Sequence, residues 1–89
     1  MTIRIEPHTL DRLDERGATA EEVEDVIRTG VPEEAHSGRF AKAKVYAYDG
    51  IWRGRFYRQK RVRVVFAMLR DTAVTVTVVV YFGFWGRPI

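Results

Sequence analysis

The chain has 89 residues and no cysteine, which excludes disulfides and thiolate metal sites. Histidine is scarce: His8 and His36 are the two, far apart in sequence. No metal site and no cofactor is expected from so few ligating side chains. There is no glycine-rich phosphate loop. The longest apolar run, Ala73 to Trp85, is broken by Thr75, Thr77 and Gly83, so none approaches the roughly 18 residues of a membrane span. The N-terminus shows no charged-then-apolar leader. The expectation is a single cytoplasmic domain over residues 1–89, with no membrane contact.

Acid is also scarce, but only after residue 36. Residues 1–36 carry ten acids and four arginines, a net of −6. Residues 37–89 carry eleven Lys or Arg against Asp49 and Asp71, a net of +9. A charge division of this size points to a polyanion partner for the basic part. The alternative is an internal dipole, with the two parts neutralising each other.

The chain opens with Thr2-Ile3-Arg4-Ile5, which alternates as a short edge strand or an ordered arm does. Pro7 suits the first position of a helix, where its missing N–H costs nothing. Leu10 and Leu13 give this helix, residues 7–16, an apolar stripe, and Gly17 stops it. Thr19-Ala20-Glu21-Glu22 has the capping-box form. A second helix over 20–29 comes next, with Val23, Val26 and Ile27 as its buried stripe and Gly30 and Pro32 at its end. Residues 31–41 read as a loop.

Strands are predicted for Lys42 to Tyr48, for residues 60–69 and for Ala73 to Phe82, with Gly83, Gly86 and Pro88 ending the last. The fold class is α+β: two N-terminal helices on one face of a three-stranded antiparallel meander, four-stranded if the opening segment joins it. The covered face should hold Val45, Val62, Val64, Phe66, Val74, Val76, Val78 and Val80, with Leu10 and Leu13 above them.

Alternation then displays Arg61, Arg63, Val65, Thr75, Thr77, Val79 and Tyr81 on the other face, joined by Lys44, Tyr46 and Tyr48. Arg53, Arg55, Tyr57, Arg58 and Lys60 form its rim. This assignment holds only without a bulge, since one extra residue flips every later side chain of the strand to the other face. By strict alternation Lys60 falls on the Val62 side. Arginine forks match phosphate oxygens and tyrosine rings take unstacked bases, so the face suits single-stranded nucleic acid. Strand-forming tyrosines and threonines with solvated charges between them would look the same.

For chemistry, His8 is the candidate proton carrier, because histidine titrates near neutrality. It starts the first helix, near Arg12 and, two turns on, Arg16. A capping or packing role for His8 stays open. Lys60 and the arginines are candidates to stabilise a phosphorane, and Tyr57 or Tyr81 to orient a proton. Phe82, Phe84 and Trp85 form an apolar end suited to a partner or to a homodimer.

The segment from Pro7 to Val23, with its His, short helix, Arg16-Gly17, capping residue and Glu-Glu-Val, resembles the opening of a bacterial domain family of unknown function. That family is grouped with the RelE-like toxin superfamily. Ile27-Arg28-Thr29-Gly30, Lys60 to Val65 and Val76-Thr77-Val78 are similar to later parts of the same family, so the likeness spans residues 7–82. The segment from Lys42 to Phe56, with Trp52, and the aromatic end depart from it. The resemblance implies a RelE-, BrnT- or barnase-like domain, many of whose relatives cleave RNA without metal and are held by an antitoxin. The matching positions are His8, Arg16, Lys60, Arg61 and Thr77.

Two functional readings are open. One is a metal-independent endoribonuclease of toxin–antitoxin type. Its catalytic residues are His8, Arg16, Lys60 and Tyr81. Its RNA is bound by Lys44, Tyr46, Arg55, Tyr57, Arg58, Arg61, Arg63 and Thr77. The other is a non-catalytic module that binds nucleic acid or protein through the same face.

Overall fold

The fold, given by a computed structural model, is described for residues 1–86, so the stop signal at Pro88 lies outside the described residues. It is an α+β domain with two helices and a five-stranded mixed sheet. The elements are β1 (Thr2–Arg4), α1 (Pro7–Arg16), α2 (Ala20–Thr29), β2 (Val31–Glu33), β3 (Phe40–Trp52), β4 (Arg55–Leu69) and β5 (Thr72–Gly83). Spatial order in the sheet is β1-β5-β4-β3-β2. The expected meander of β3, β4 and β5 is its antiparallel centre. Two short strands extend it: β1 runs parallel to β5 and β2 antiparallel to β3. β2 falls where a loop was expected, because Pro32 is tolerated on an edge strand with no neighbour on its far side.

Both helices form as their caps dictate. Pro7 opens α1, and Gly17, in the left-handed region at φ 86°, donates its N–H to the carbonyls of Leu13 and Asp14. Thr19 and Glu22 exchange the two capping-box hydrogen bonds at the start of α2. α2 packs Val23, Val26 and Ile27 onto β4 and β3, and all three are fully buried. α1 lies over β5, and the N–H of Glu6 just before it donates to Thr75 Oγ1 at 3.0 Å. Its buried residues are Thr9 and Leu13, four apart. Leu10, expected in the core, is 49% exposed, because the helix turns its 9–13–16 edge to the strand.

The facing of the strands differs from strict alternation in two places. In β4–β5, Val65 pairs with Thr77 but Phe66 pairs with Thr75, so Val76 is a bulged extra residue. Beyond it the facing reverses. Val78 is buried as expected, but Ala73 and Thr75 take the buried positions assigned to Val74 and Val76. In β3, pairing of Lys44 with Val62 and of Tyr46 with Lys60 puts both on the helix side. Val45 pairs with Arg61 on the open face, not in the core. A second irregularity between Ala47 and Gly50 lets the β3–β4 hairpin continue past the end of β5.

Candidate functional site: a cationic cleft beside the last strand

His8, Arg12 and Arg16 are spaced by four along α1, which stacks them along one edge of the helix. That edge meets β5, and the three side chains line a cleft of about 30 Å³ with Thr9, Thr77 and Val78. The hole has the size of one water or a small ion. Arg16 Nη1 donates to the Val78 carbonyl at 2.6 Å, which fixes the guanidinium against the strand. A guanidinium has five N–H donors, so this bond leaves four for a ligand. Arg12 Nε donates to Glu15 Oε1 at 2.8 Å, and the Arg12 guanidinium holds the Glu15 carboxyl below its ordinary range. His8 is exposed at the mouth. On the other side of Arg16 a wider cavity of about 220 Å³ continues along β5, lined by Glu15, Trp52, Arg53, Val79 and Val80. Arg53 Nη2 donates to the Glu15 carbonyl at 3.0 Å. The cleft can hold an anion between fixed cations beside an imidazole able to exchange a proton.

Three of the residues singled out from sequence, His8, Arg16 and Thr77, therefore meet at one place. The others do not join them. Lys60 lies on the helix side and is 7% exposed. Its ammonium donates to the Gly17 carbonyl and to Glu22 Oε1, both at 2.8 Å. Tyr81 stands on the open face opposite Arg61, whose guanidinium is 6.0 Å from its ring centre. Lys44 and Tyr46 are turned to α2, which corrects their assignment to the open face. Lys44 Nζ donates to Asp25 Oδ2 at 2.7 Å, and the Tyr46 hydroxyl to the same oxygen at 2.6 Å. Hydrogen bonds from Lys44 and then Tyr46 hold the Asp25 carboxyl down at about 2. Burial, and then the bond to Asp25, push the Tyr46 phenol up.

Arg61 and Arg63 are on the open face as expected, but Glu33 of β2 clasps both. Arg63 Nη2 also donates to the Glu34 carbonyl at 3.1 Å. Tyr57 packs against Phe82, which also touches the rings of Tyr48 and Trp52. Phe82 is thus part of an internal aromatic cluster, while Phe84 and Trp85 are exposed. Arg55 and Arg58 are exposed and have no carboxylate partner among the described residues. Arg58 lies 6.0 Å from the Phe84 ring centre.

The acidic and basic parts of the sequence meet inside the molecule. Lys44, Lys60, Arg61 and Arg63 pair with Asp25, Glu22 and Glu33 from the acidic part. The internal-dipole alternative accounts for part of the charge division. Arg12 was legible only as a neighbour of His8, although the four-residue spacing was there to be used. Glu33 carried no sequence signal, because nothing local shows that a three-residue strand will bring it beside Arg61. Among the described residues no three of His, Cys, Asp or Glu converge to hold a metal ion. No helix among them is long and apolar enough to cross a membrane. No family model, curated protein or solved structure matches the chain.

Proposed function

We propose that this chain is a metal-independent endoribonuclease, a RelE-like toxin of a cytoplasmic toxin–antitoxin pair, acting at the α1–β5 cleft. The observation that carries the reading is the convergence of His8, Arg12, Arg16 and Thr77 around an anion-sized hole. The resemblance read in residues 7–82 to a RelE-grouped family, from which His8, Arg16 and Thr77 were first singled out, points to the same reading.

In this reading a phosphodiester oxygen sits between Arg12 and Arg16. His8 takes the proton of the neighbouring 2′-hydroxyl, whose oxygen attacks phosphorus. The bond from phosphorus to the 5′ oxygen breaks, and the proton returns to that oxygen. The two guanidiniums carry the extra charge of the phosphorane, where fixed donors act most strongly. Arg55 and Arg58 are exposed cations available to the flanking backbone. Lys60 and Tyr81 have no part in this step, since neither lines the cleft.

The test is incubation of the purified protein with single-stranded RNA in EDTA, beside His8→Ala and Arg16→Lys. Fragments ending in 2′,3′-cyclic phosphate are expected. His8→Ala should lose about 10²- to 10⁴-fold in rate. Intact RNA at high protein concentration sinks the reading. A second reading, a non-catalytic module, is favoured by the Arg61–Glu33–Arg63 group, two guanidiniums held on one carboxylate, beside exposed Tyr81. It expects binding of RNA or protein with no product.

A further inference from the structure

No step of the proposed cleavage uses the wider cavity beside Arg16. It measures about 220 Å³ and is lined by Glu15, Arg16, Trp52, Arg53, Val79 and Val80. α1 ends at Arg16, and the β3–β4 hairpin supplies Trp52 and Arg53 as the far wall. That wall is held in place. The Trp52 ring stacks on Phe82, with centres 4.7 Å apart and 12° between planes. The Arg53 guanidinium stands 5.3 Å from the Trp52 ring centre, and its Nη2 donates to the Glu15 carbonyl at 3.0 Å. Both residues belong to Lys42–Phe56, where the chain departs from the family it resembles.

The lining narrows the ligand. An anion would meet Glu15, and a cation would meet Arg16 and Arg53. A purely apolar group would strip water from all three with nothing in return. A neutral planar group with hydrogen-bonding edges conflicts with none of them. Indole rings and guanidinium planes both stack on nucleobases. The volume falls below the roughly 300 Å³ at which pockets for drug-sized ligands begin, so a single base is the scale it suits. Arg16 lines this cavity and the smaller cleft alike, which sets the base next to the anion position.

Glu15 decides which base. Arg12 Nε takes its Oε1, while Oε2 has no hydrogen-bond partner among the described residues. The bond and charge of Arg12 hold this carboxyl below its ordinary range, and the charges of Arg16 and Arg53 add to that. An ionised carboxylate only accepts hydrogen bonds. The base edge turned to it must therefore carry N–H. Cytosine presents an amino group where uracil presents a carbonyl oxygen, in a ring of the same size.

We infer that the wider cavity is a base subsite, in which Glu15 selects a nucleobase that carries an exocyclic amino group. The base lies against Trp52 and Arg53, beside the phosphate held at Arg12 and Arg16. Its amino N–H donates to Glu15 Oε2. A uracil in the same place turns a carbonyl oxygen toward the carboxylate and is disfavoured. The position beside a scissile phosphate rests on the endoribonuclease reading, but the selection of the base needs no cleavage.

The probes are the 2′-O-methyl dinucleotides CpC and UpU, which lack the attacking hydroxyl and stay intact. Trp85→Phe leaves Trp52 as the one tryptophan, so its fluorescence reports the cavity. Saturable quenching by CpC is expected, with UpU about fivefold weaker, the worth of one hydrogen bond to an exposed charged acceptor. A CpC dimethylated at both amino groups should bind as UpU does. In Glu15→Gln the preference should fall below about twofold, because an amide can turn its NH₂ to the uracil carbonyl. Arg53→Ala should weaken both dinucleotides and keep the preference. Equal binding of CpC and UpU overturns the proposal. So does a preference that survives in Glu15→Gln, or a titration that leaves Trp52 fluorescence unchanged. Selective binding by a protein that leaves RNA intact upholds the subsite and sinks the nuclease reading alone. RNA cut as readily beside uracil as beside cytosine overturns the subsite and leaves the nuclease reading standing.

Discussion

Lys60 and Arg61 are neighbours in sequence and stand on opposite sides of the sheet. Period-two alternation was enough to separate them, and it already put Lys60 with Val62. What alternation does not contain is the partner. Lys60 is held by the Gly17 carbonyl and Glu22, so its work is to tie the end of α1 to the start of α2 across β4. Lys60→Met should lower stability by about 2 kcal/mol, the loss expected when a hydrogen-bonded charge is removed from a buried site. The urea midpoint measures it, and an unchanged midpoint with lost RNA cleavage would return Lys60 to the catalytic site. Asp25 makes a second test. Its carboxyl lies at about 2, against 3.8 ordinarily. A carboxyl that is more acidic when folded contributes stability above its unfolded pKa and loses it as pH falls toward the folded one. Unfolding monitored between pH 3.8 and about 2 should therefore depend less on pH in Asp25→Asn than in the wild type.

At the scale of elements, the helices were legible because their ends are written locally. Pro7, Gly17, the Thr19–Glu22 box and Gly30 each act within one turn, so no tertiary information is needed. Gly17 does more than end α1. A Cβ there would stand 2.7 Å from Phe82 Cζ and 3.2 Å from the Trp52 ring, at a φ of 86°. Gly17→Ala should cost about 2 kcal/mol or more, combining left-handed backbone strain with displacement of the aromatic cluster. Thermal unfolding reads the loss. Bulges were not legible. One extra residue at Val76 turned Thr75 inward and Val74 outward, and no residue type in Val74–Thr77 announces it. The helix side of β3 was misread for a related reason. Lys42, Lys44 and Tyr46 do not look like inward residues until Asp25 and the Ile27 carbonyl of α2 are there to receive them.

Over the whole molecule, the division of charge was read correctly as a quantity and incompletely as a geometry. The acidic helices and β2 lie against the basic sheet, so part of the expected polyanion surface is already satisfied. Glu33 is the control point for the open face, with two arginines on one carboxylate. Glu33→Gln should leave the fold intact and free both guanidiniums. Binding of single-stranded RNA should then tighten, and its salt dependence should steepen by about 0.7 for each additional phosphate engaged. A titration at several salt concentrations measures the slope. An unchanged slope would mean that Arg61 and Arg63 stay out of reach of the backbone. The α+β class came from the helix caps and from strand periodicity, which also gave the meander. The flanking strands did not, because each is three residues long and exists through its neighbour.

The parallel pair of β1 and β5 joins Thr2 to Thr72 across most of the chain. Closing so large a loop costs entropy that only a finished neighbour can offset. The β3–β4 and β4–β5 hairpins close short loops, so they assemble first and offer the edge on which β1 docks. During synthesis the opening segment has no partner strand until residue 74 has left the ribosome. The first strand to be made is thus the last to find its place.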